Sequence, residues 1–151
     1  MQIRDAEIAD MRELQGVFRR ASESNDDDRA LLREHPEWLV LSNEGILAGR
    51  MRVAVADDGA VVGFATYAIT DGLGELEDLF VDPEWMRCGI GTELVVDISA
   101  RLNDLNVEWL EVTANPHAMA FYEHLGFVQD RMVDTPGYPA PRMGRSTRSL
   151  A

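Results

Sequence analysis

The sequence predicts a mixed α/β fold: a central, mostly antiparallel sheet flanked by helices, in the order β-α-α-β-β-β-α-β-α-β-β. Three observations predict it. Apolar residues recur at helical spacing in the first part of the chain, and the pattern turns strand-like from Met51 onward. Two turn signals, Asp57-Asp58-Gly59 and Asp71-Gly72-Leu73-Gly74, join three consecutive strands and so make that part antiparallel. The strand–helix–strand run from Glu75 to Thr113 then requires a parallel pair within the same sheet.

Met1 to Arg4 reads as a short first strand. Met11, Leu14, Val17 and Phe18 form a helical stripe, with Asp10 at the N-cap position. The polar run from Ser24 to Asp28 reads as a loop. A second helix, Arg29 to Glu34, stops before His35-Pro36, because the residue preceding proline avoids helical geometry. Residues 39 to 50 carry no clear pattern. Arg52 to Ala56, Val61 to Ile69 and Glu75 to Val81 read as strands, with Glu77 on the same face as Glu75. After Gly89-Ile90-Gly91, the stripe Leu94, Val95, Ile98, Leu102 and Leu105 predicts a helix. Trp109 to Thr113 is the next strand. Asn115-Pro116 starts a further helix that carries Ala118, Phe121, Tyr122 and Leu125 on one side and ends at Gly126. Phe127 to Val133 is extended again. Pro136 to Pro141 reads as turn-rich and Met143 to Leu150 as a last strand.

The 151 residues suit one domain, 1–151, with one core, and no internal repeat is visible. No apolar run approaches the length of a membrane span, and the N-terminus lacks a charged-then-apolar leader pattern. Cys88 is the only cysteine, so no intrachain disulfide forms and a cytoplasmic location is expected. The net charge of −13 repels nucleic acid and attracts cationic partners. His35, His117 and His124 show no metal-ligand spacing, so no metal is expected.

The segment Leu79-Phe80-Val81-Asp82-Pro83-Glu84-Trp85-Met86-Arg87-Cys88-Gly89-Ile90-Gly91-Thr92 is a strand, a loop and a glycine-containing helix start. Glycine lets a backbone approach a phosphate closely. The free amides of a helix's first turn then point at the anion, so an acidic protein can still bind a polyphosphate. About twenty residues on, by a spacing familiar from phosphate loops, comes Leu110-Glu111-Val112-Thr113-Ala114-Asn115-Pro116-His117-Ala118-Met119-Ala120-Phe121-Tyr122-Glu123-His124-Leu125-Gly126-Phe127.

These two segments resemble the GNAT superfamily of N-acetyltransferases: the first its pyrophosphate loop, Gln/Arg-x-x-Gly-x-Gly/Ala, the second its Asn-x-x-Ala-x-x-x-Tyr…Leu-Gly-Phe block. The resemblance implies acetyl-CoA as cosubstrate. Its pantetheine arm would pair with the backbone of Leu79, Phe80 and Val81, and its pyrophosphate would lie on the amides of Arg87, Cys88, Gly89, Ile90, Gly91 and Thr92, with Asn115 nearby. It also implies transfer to a primary amine of a small molecule or peptide. Tyr122 would assist the departing thiolate, and a carboxylate would act as base. Glu75 lies where histone-modifying members carry their base, Glu77 shares its face, and Glu111 is the alternative of ribosomal-protein-acetylating relatives. Met86 departs from the motif's usual Gln or Arg, which leaves a non-catalytic acyl-CoA-binding sensor as the alternative. The sheet edge is a candidate surface for homodimerisation. The residues that would choose the acceptor, 20 to 50 and 134 to 151, carry no motif that names it.

Overall fold

The computed structural model describes residues 1–24 and 26–148, with backbone alone at 26 to 28. Its strands are β1 (Gln2–Asp5), β2 (Met51–Val55), β3 (Val61–Thr70), β4 (Leu73–Val81), β5 (Trp109–Thr113), β6 (Val128–Thr135) and β7 (Tyr138–Ser146). The helices are α1 (Met11–Glu23), α2 (Asp26–Glu34), α3 (Glu44–Leu47), α4 (Ile90–Asp104) and α5 (Met119–His124). The strands pair in the order β1-β2-β3-β4-β5-β7-β6. β4 and β5 are parallel, while β1 with β2, β2 with β3, β5 with β7 and β6 with β7 are antiparallel. The mixed, mostly antiparallel sheet is the one the sequence predicts.

The chain divides into two compact units. The first comprises Met1–Thr66 and Asp78–Val95. Its core gathers Leu14 and Val17 of α1 with Met51, Val53, Val61 and Phe64 of the strands, and Phe18 and Phe80 pack against that cluster. Phe80 meets Phe18 edge-on at 4.9 Å and Phe64 at 5.5 Å, so the aromatic side chain of β4 is pinned from two sides. Asp10 sits at the start of α1, but its carboxylate caps nothing in the helix. It accepts the Glu7 amide and two bonds from Arg4 instead.

The second unit comprises Tyr67–Glu77 and the chain from Val96 on. Asp71 and Gly72 both have positive φ, 53° and 77°, the pattern of a two-residue hairpin turn whose twist suits the flanking strands. Gly74 follows at the point where β4 passes under α4. A Cβ there would lie 2.6 Å from Leu102 Cδ1 and 3.1 Å from the Trp109 carbonyl oxygen. Leu102 has no exposed surface to retreat into. Gly74→Ala is therefore expected to destabilise the protein by about 1–3 kcal/mol, read as a lower denaturant midpoint.

Two expectations are corrected. Asp26 to Asp28 are not loop but the first turn of α2; Asn25 lies outside the described residues. The last strand begins at Tyr138, five residues before Met143, and runs through Pro139 and Pro141. Those prolines are tolerated because the β5 ladder begins at Arg142, and the one bond beyond it, from the Ala114 amide to Pro141 O at 2.9 Å, uses the proline carbonyl and needs no proline N–H. Residues 149 and 150, the end of that expected strand, are outside the described residues.

Candidate functional site

In the first unit, β4 runs into a short loop before α4. Asp82 fixes the base of this loop. Its amide donates to Val62 O at 2.8 Å, Oδ1 accepts the Glu84 amide at 3.1 Å, and Oδ2 accepts Arg20 Nη2 at 2.6 Å and Nε at 3.0 Å. A single turn of 3-10 helix, Pro83–Trp85, follows, then Met86, Arg87 and Cys88 on the surface. Arg87 and Gly89 both take left-handed backbone geometry, with φ of 65° and 80°. Glycine adopts this freely at position 89. Open space surrounds the position its Cβ would occupy. Gly89 O accepts the Glu93 amide, so the amides of Ile90, Gly91 and Thr92 are first-turn donors without an acceptor inside the helix. Ile90 is buried and anchors the helix start, whereas Arg87, Cys88 and Gly89 are exposed. Among the described residues Arg87 has no partner. An open glycine, free amides and an unpaired cation are what a polyphosphate requires. The Cys88 thiol points back to Met86 O at 3.7 Å.

In the second unit, Glu75 of β4 and Glu111 of β5 are register partners in a parallel ladder of three pairs, Gly74↔Leu110 to Leu76↔Val112. Arg142 of β7 lies between them. Its Nη1 donates to Glu75 Oε1 at 2.8 Å and to Thr113 Oγ1 at 2.9 Å, and its Nε donates to Glu111 Oε1 at 3.0 Å. Burial works against the guanidinium's charge, but the two carboxylates outweigh it and leave its pKa raised, so Arg142 stays a cation. Glu77, two residues along β4, is exposed.

Tyr122 of α5 is buried and packs edge-on against Phe121 and Phe127. Its hydroxyl makes no hydrogen bond to a described residue and contacts neither carboxylate. It still retains accessible surface, since Thr66 Oγ1 is the one fully enclosed side-chain oxygen without a partner among the described residues. Burial pushes the phenol pKa well up. Native protein therefore holds this proton where an unfolded tyrosine, with a pKa near ~10, begins to lose it. The resulting stability is fully present below about pH 10 and is lost as pH rises further. Tyr122→Phe is expected to lose less stability than the parent protein between about pH 9 and 11, compared by denaturant midpoints at both values.

Asn115 accepts the His117 amide at 2.9 Å, the cap expected of it, and its Nδ2 donates to the Tyr138 hydroxyl at 3.2 Å. Arg142 and Tyr138 are the site residues that sequence reasoning missed. The available signal for Arg142 was a lone arginine within the small and apolar stretch Ala140-Pro141-Arg142-Met143-Gly144. No group of three or more His, Cys, Asp or Glu side chains is placed to hold a metal among the described residues. No helix among them is long and apolar enough to cross a membrane.

Residues 8–127 match the acetyltransferase (GNAT) family. Mycothiol acetyltransferase of Nocardiopsis dassonvillei is 33% identical over 130 residues, which cover 76% of this chain and 37% of that protein. This chain thus spans little more than a third of that relative's length. Among solved structures, the PaiA N-acetyltransferase of Thermoplasma acidophilum in complex with coenzyme A superposes with a TM-score of 0.74 at 22% identity, covering 96% of this chain and 98% of that one. The ribosomal-protein-S18-alanine N-acetyltransferase of Escherichia coli gives a TM-score of 0.70 at 20% identity, covering 97% and 93%. At these identities the structural likeness shows the fold.

Proposed function

The chain belongs to the acetyltransferase (GNAT) family, and on that premise we propose that it moves the acetyl group of acetyl-CoA to a primary amine of a small molecule or peptide by direct attack. The whole of 1–151 acts as one catalytic domain in the reducing cytoplasm. The pair Glu75–Glu111 carries the reading: two carboxylates on adjacent strands, 40% and 18% exposed, joined by one guanidinium. A lysine-like primary amine has a pKa of about 10.4 and arrives at neutral pH as a cation that cannot attack. A carboxylate within reach removes the proton. Glu75 is the first candidate for this role; Glu77 and Glu111 are the others.

Acetyl-CoA supplies an acyl group activated as a thioester. The residues Arg87, Cys88, Gly89, Ile90, Gly91 and Thr92 hold its pyrophosphate through their amides, aided by the Arg87 cation. The backbone of Leu79, Phe80 and Val81 pairs with the pantetheine arm as an added strand does. Support comes from β4 itself, which runs to Val81 after its last pair with β5 at Leu76. Asn115 lies along the cosubstrate as well. The nitrogen–carbon bond forms as the carbon–sulfur bond breaks, and the electron pair leaves on sulfur. Of the two protons the ammonium loses, one passes to the carboxylate and one neutralises the thiolate.

Tyr122 donates a hydrogen bond to the sulfur as charge develops. Outright proton transfer from tyrosine is uphill already from reference values near ~10 and ~8.5, and burial raises the phenol further. Tyr122→Phe is expected to lower kcat about tenfold to hundredfold, the worth of one hydrogen bond to a charged group, with acetyl-CoA binding retained.

Direct attack requires both substrates on the protein at once. Initial rates measured over a grid of acetyl-CoA and amine concentrations are expected to give intersecting double-reciprocal lines. Parallel lines would mean that the acetyl group rests on the protein first and would overturn direct attack.

A further inference from the structure

One guanidinium ties three strands together within the second unit. Arg142 of β7 is the register partner of Thr113 on β5, and Glu111 precedes Thr113 on the same face. Glu111 is in turn the register partner of Glu75 on β4. Nη1 binds Glu75 and Thr113 and Nε binds Glu111, so two carboxylates and a hydroxyl are fixed by a single planar fork. Arg131, the β6 neighbour of Arg142 in the ladder, is spent on Asp130. The cluster of two acids and one cation carries one net negative charge.

The two acids are not equivalent. The Glu111 side chain is 18% exposed and the Glu75 side chain 40%. Arg142 takes only Oε1 of Glu75, and Oε2 has no hydrogen-bond partner among the described residues.

Resting on the acetyl-transfer reading, we infer that Arg142 is a positioning residue: it keeps Glu111 as its permanent counter-charge and anchors Glu75 by Oε1, so that Oε2 is presented to the incoming amine. Glu75 is then the base, and Glu111 is not. In the step itself a proton leaves the substrate ammonium for Glu75 Oε2, and the nitrogen lone pair it frees attacks the acetyl carbon. Lysine cannot replace Arg142, because a point charge lacks the fork that reaches three acceptors at once.

The test compares the parent protein with Arg142→Gln, Arg142→Lys, Glu111→Gln, Glu75→Gln and the double variant Glu75→Gln/Arg142→Gln. Each is first shown to melt cooperatively and to be stabilised by acetyl-CoA. Rates use acetyl-CoA and an amine that the parent protein acetylates. Arg142→Gln is expected to lower kcat about tenfold to hundredfold, the scale of a displaced catalytic group, at unchanged KM for acetyl-CoA. Arg142→Lys is expected not to restore the rate. In the Glu75→Gln background the Arg142 change is expected to cost nothing more, because the two act as a unit. Multiplicative losses, or full rescue by lysine, would overturn the inference. Should Arg142→Gln not fold, the pH profiles of Glu75→Gln and Glu111→Gln decide, measured with a lysine-like amine: the Glu75→Gln deficit is expected to shrink as pH approaches the amine's own pKa of about 10.4 and the Glu111→Gln deficit to ignore pH, and a Glu111→Gln deficit that shrinks in the same way would overturn it. Absence of acetylation by the parent protein itself would instead remove the acetyl-transfer reading, and this inference with it.

Discussion

Replacing Gly89 and Gly91 together with glutamate is expected to abolish the stabilisation that acetyl-CoA gives the protein. At one hundred times its dissociation constant, a ligand that binds only the native state adds about 2.7 kcal/mol. In the proposed reading the pyrophosphate rests on first-turn amides and on Arg87, which has no partner among the described residues. Position 89 has a φ of 80°, so a side chain there strains the backbone as well as filling the open space beside the helix start. Two carboxylates at this helix start oppose both the amides and the helix dipole. The measurement is the melting temperature with and without acetyl-CoA, on a double variant that still melts cooperatively. A full ligand-induced shift in that variant would place the pyrophosphate elsewhere.

Glu75→Gln is expected to lower kcat by about 10²–10⁴, the usual worth of a general base. Glutamine keeps the side chain's shape and can still accept from Arg142 Nη1, so packing is preserved while proton uptake is lost. The KM for acetyl-CoA should hardly move. With a lysine-like amine the deficit should shrink as pH approaches the amine's own pKa, about 10.4, because the substrate then arrives neutral and needs no base. A variant that loses little at neutral pH, or whose deficit ignores pH, would hand the role to Glu111 or Glu77.

The parts of the fold written in local chemistry are legible in the sequence. Asp71-Gly72 and Gly89 need left-handed backbone, and residues that tolerate it stand there. Asn115-Pro116 caps a helix start, and Gly126 with a φ of 88° ends the same helical segment. Glu75 and Glu111 are legible as candidates but not as neighbours, since their pairing depends on the register of a parallel ladder closed across α4. Arg142 is hidden for the same reason. Its partners lie 67 and 31 residues away, and only the placement of β7 beside β5 brings them within reach. Composition misleads at two points. The acidic run at 26 to 28 looks like loop but opens α2, and prolines 139 and 141 look like turn but sit in β7, ahead of its ladder with β5. The segments expected to choose the acceptor, 20 to 50 and 134 to 151, carry no motif that names it.

The most direct measurement is a product balance: the protein with acetyl-CoA and a panel of primary amines, including polyamines, amino acids and peptides with free N-termini. Free CoA thiol and acetylated amine are followed together. For an N-acetyltransferase the two products rise in equal amounts, and thiol release depends on the amine. Thiol release at the same rate without any amine would show hydrolysis instead. Stabilisation by acetyl-CoA with no product across the panel would favour a sensor that kept the fold without the chemistry.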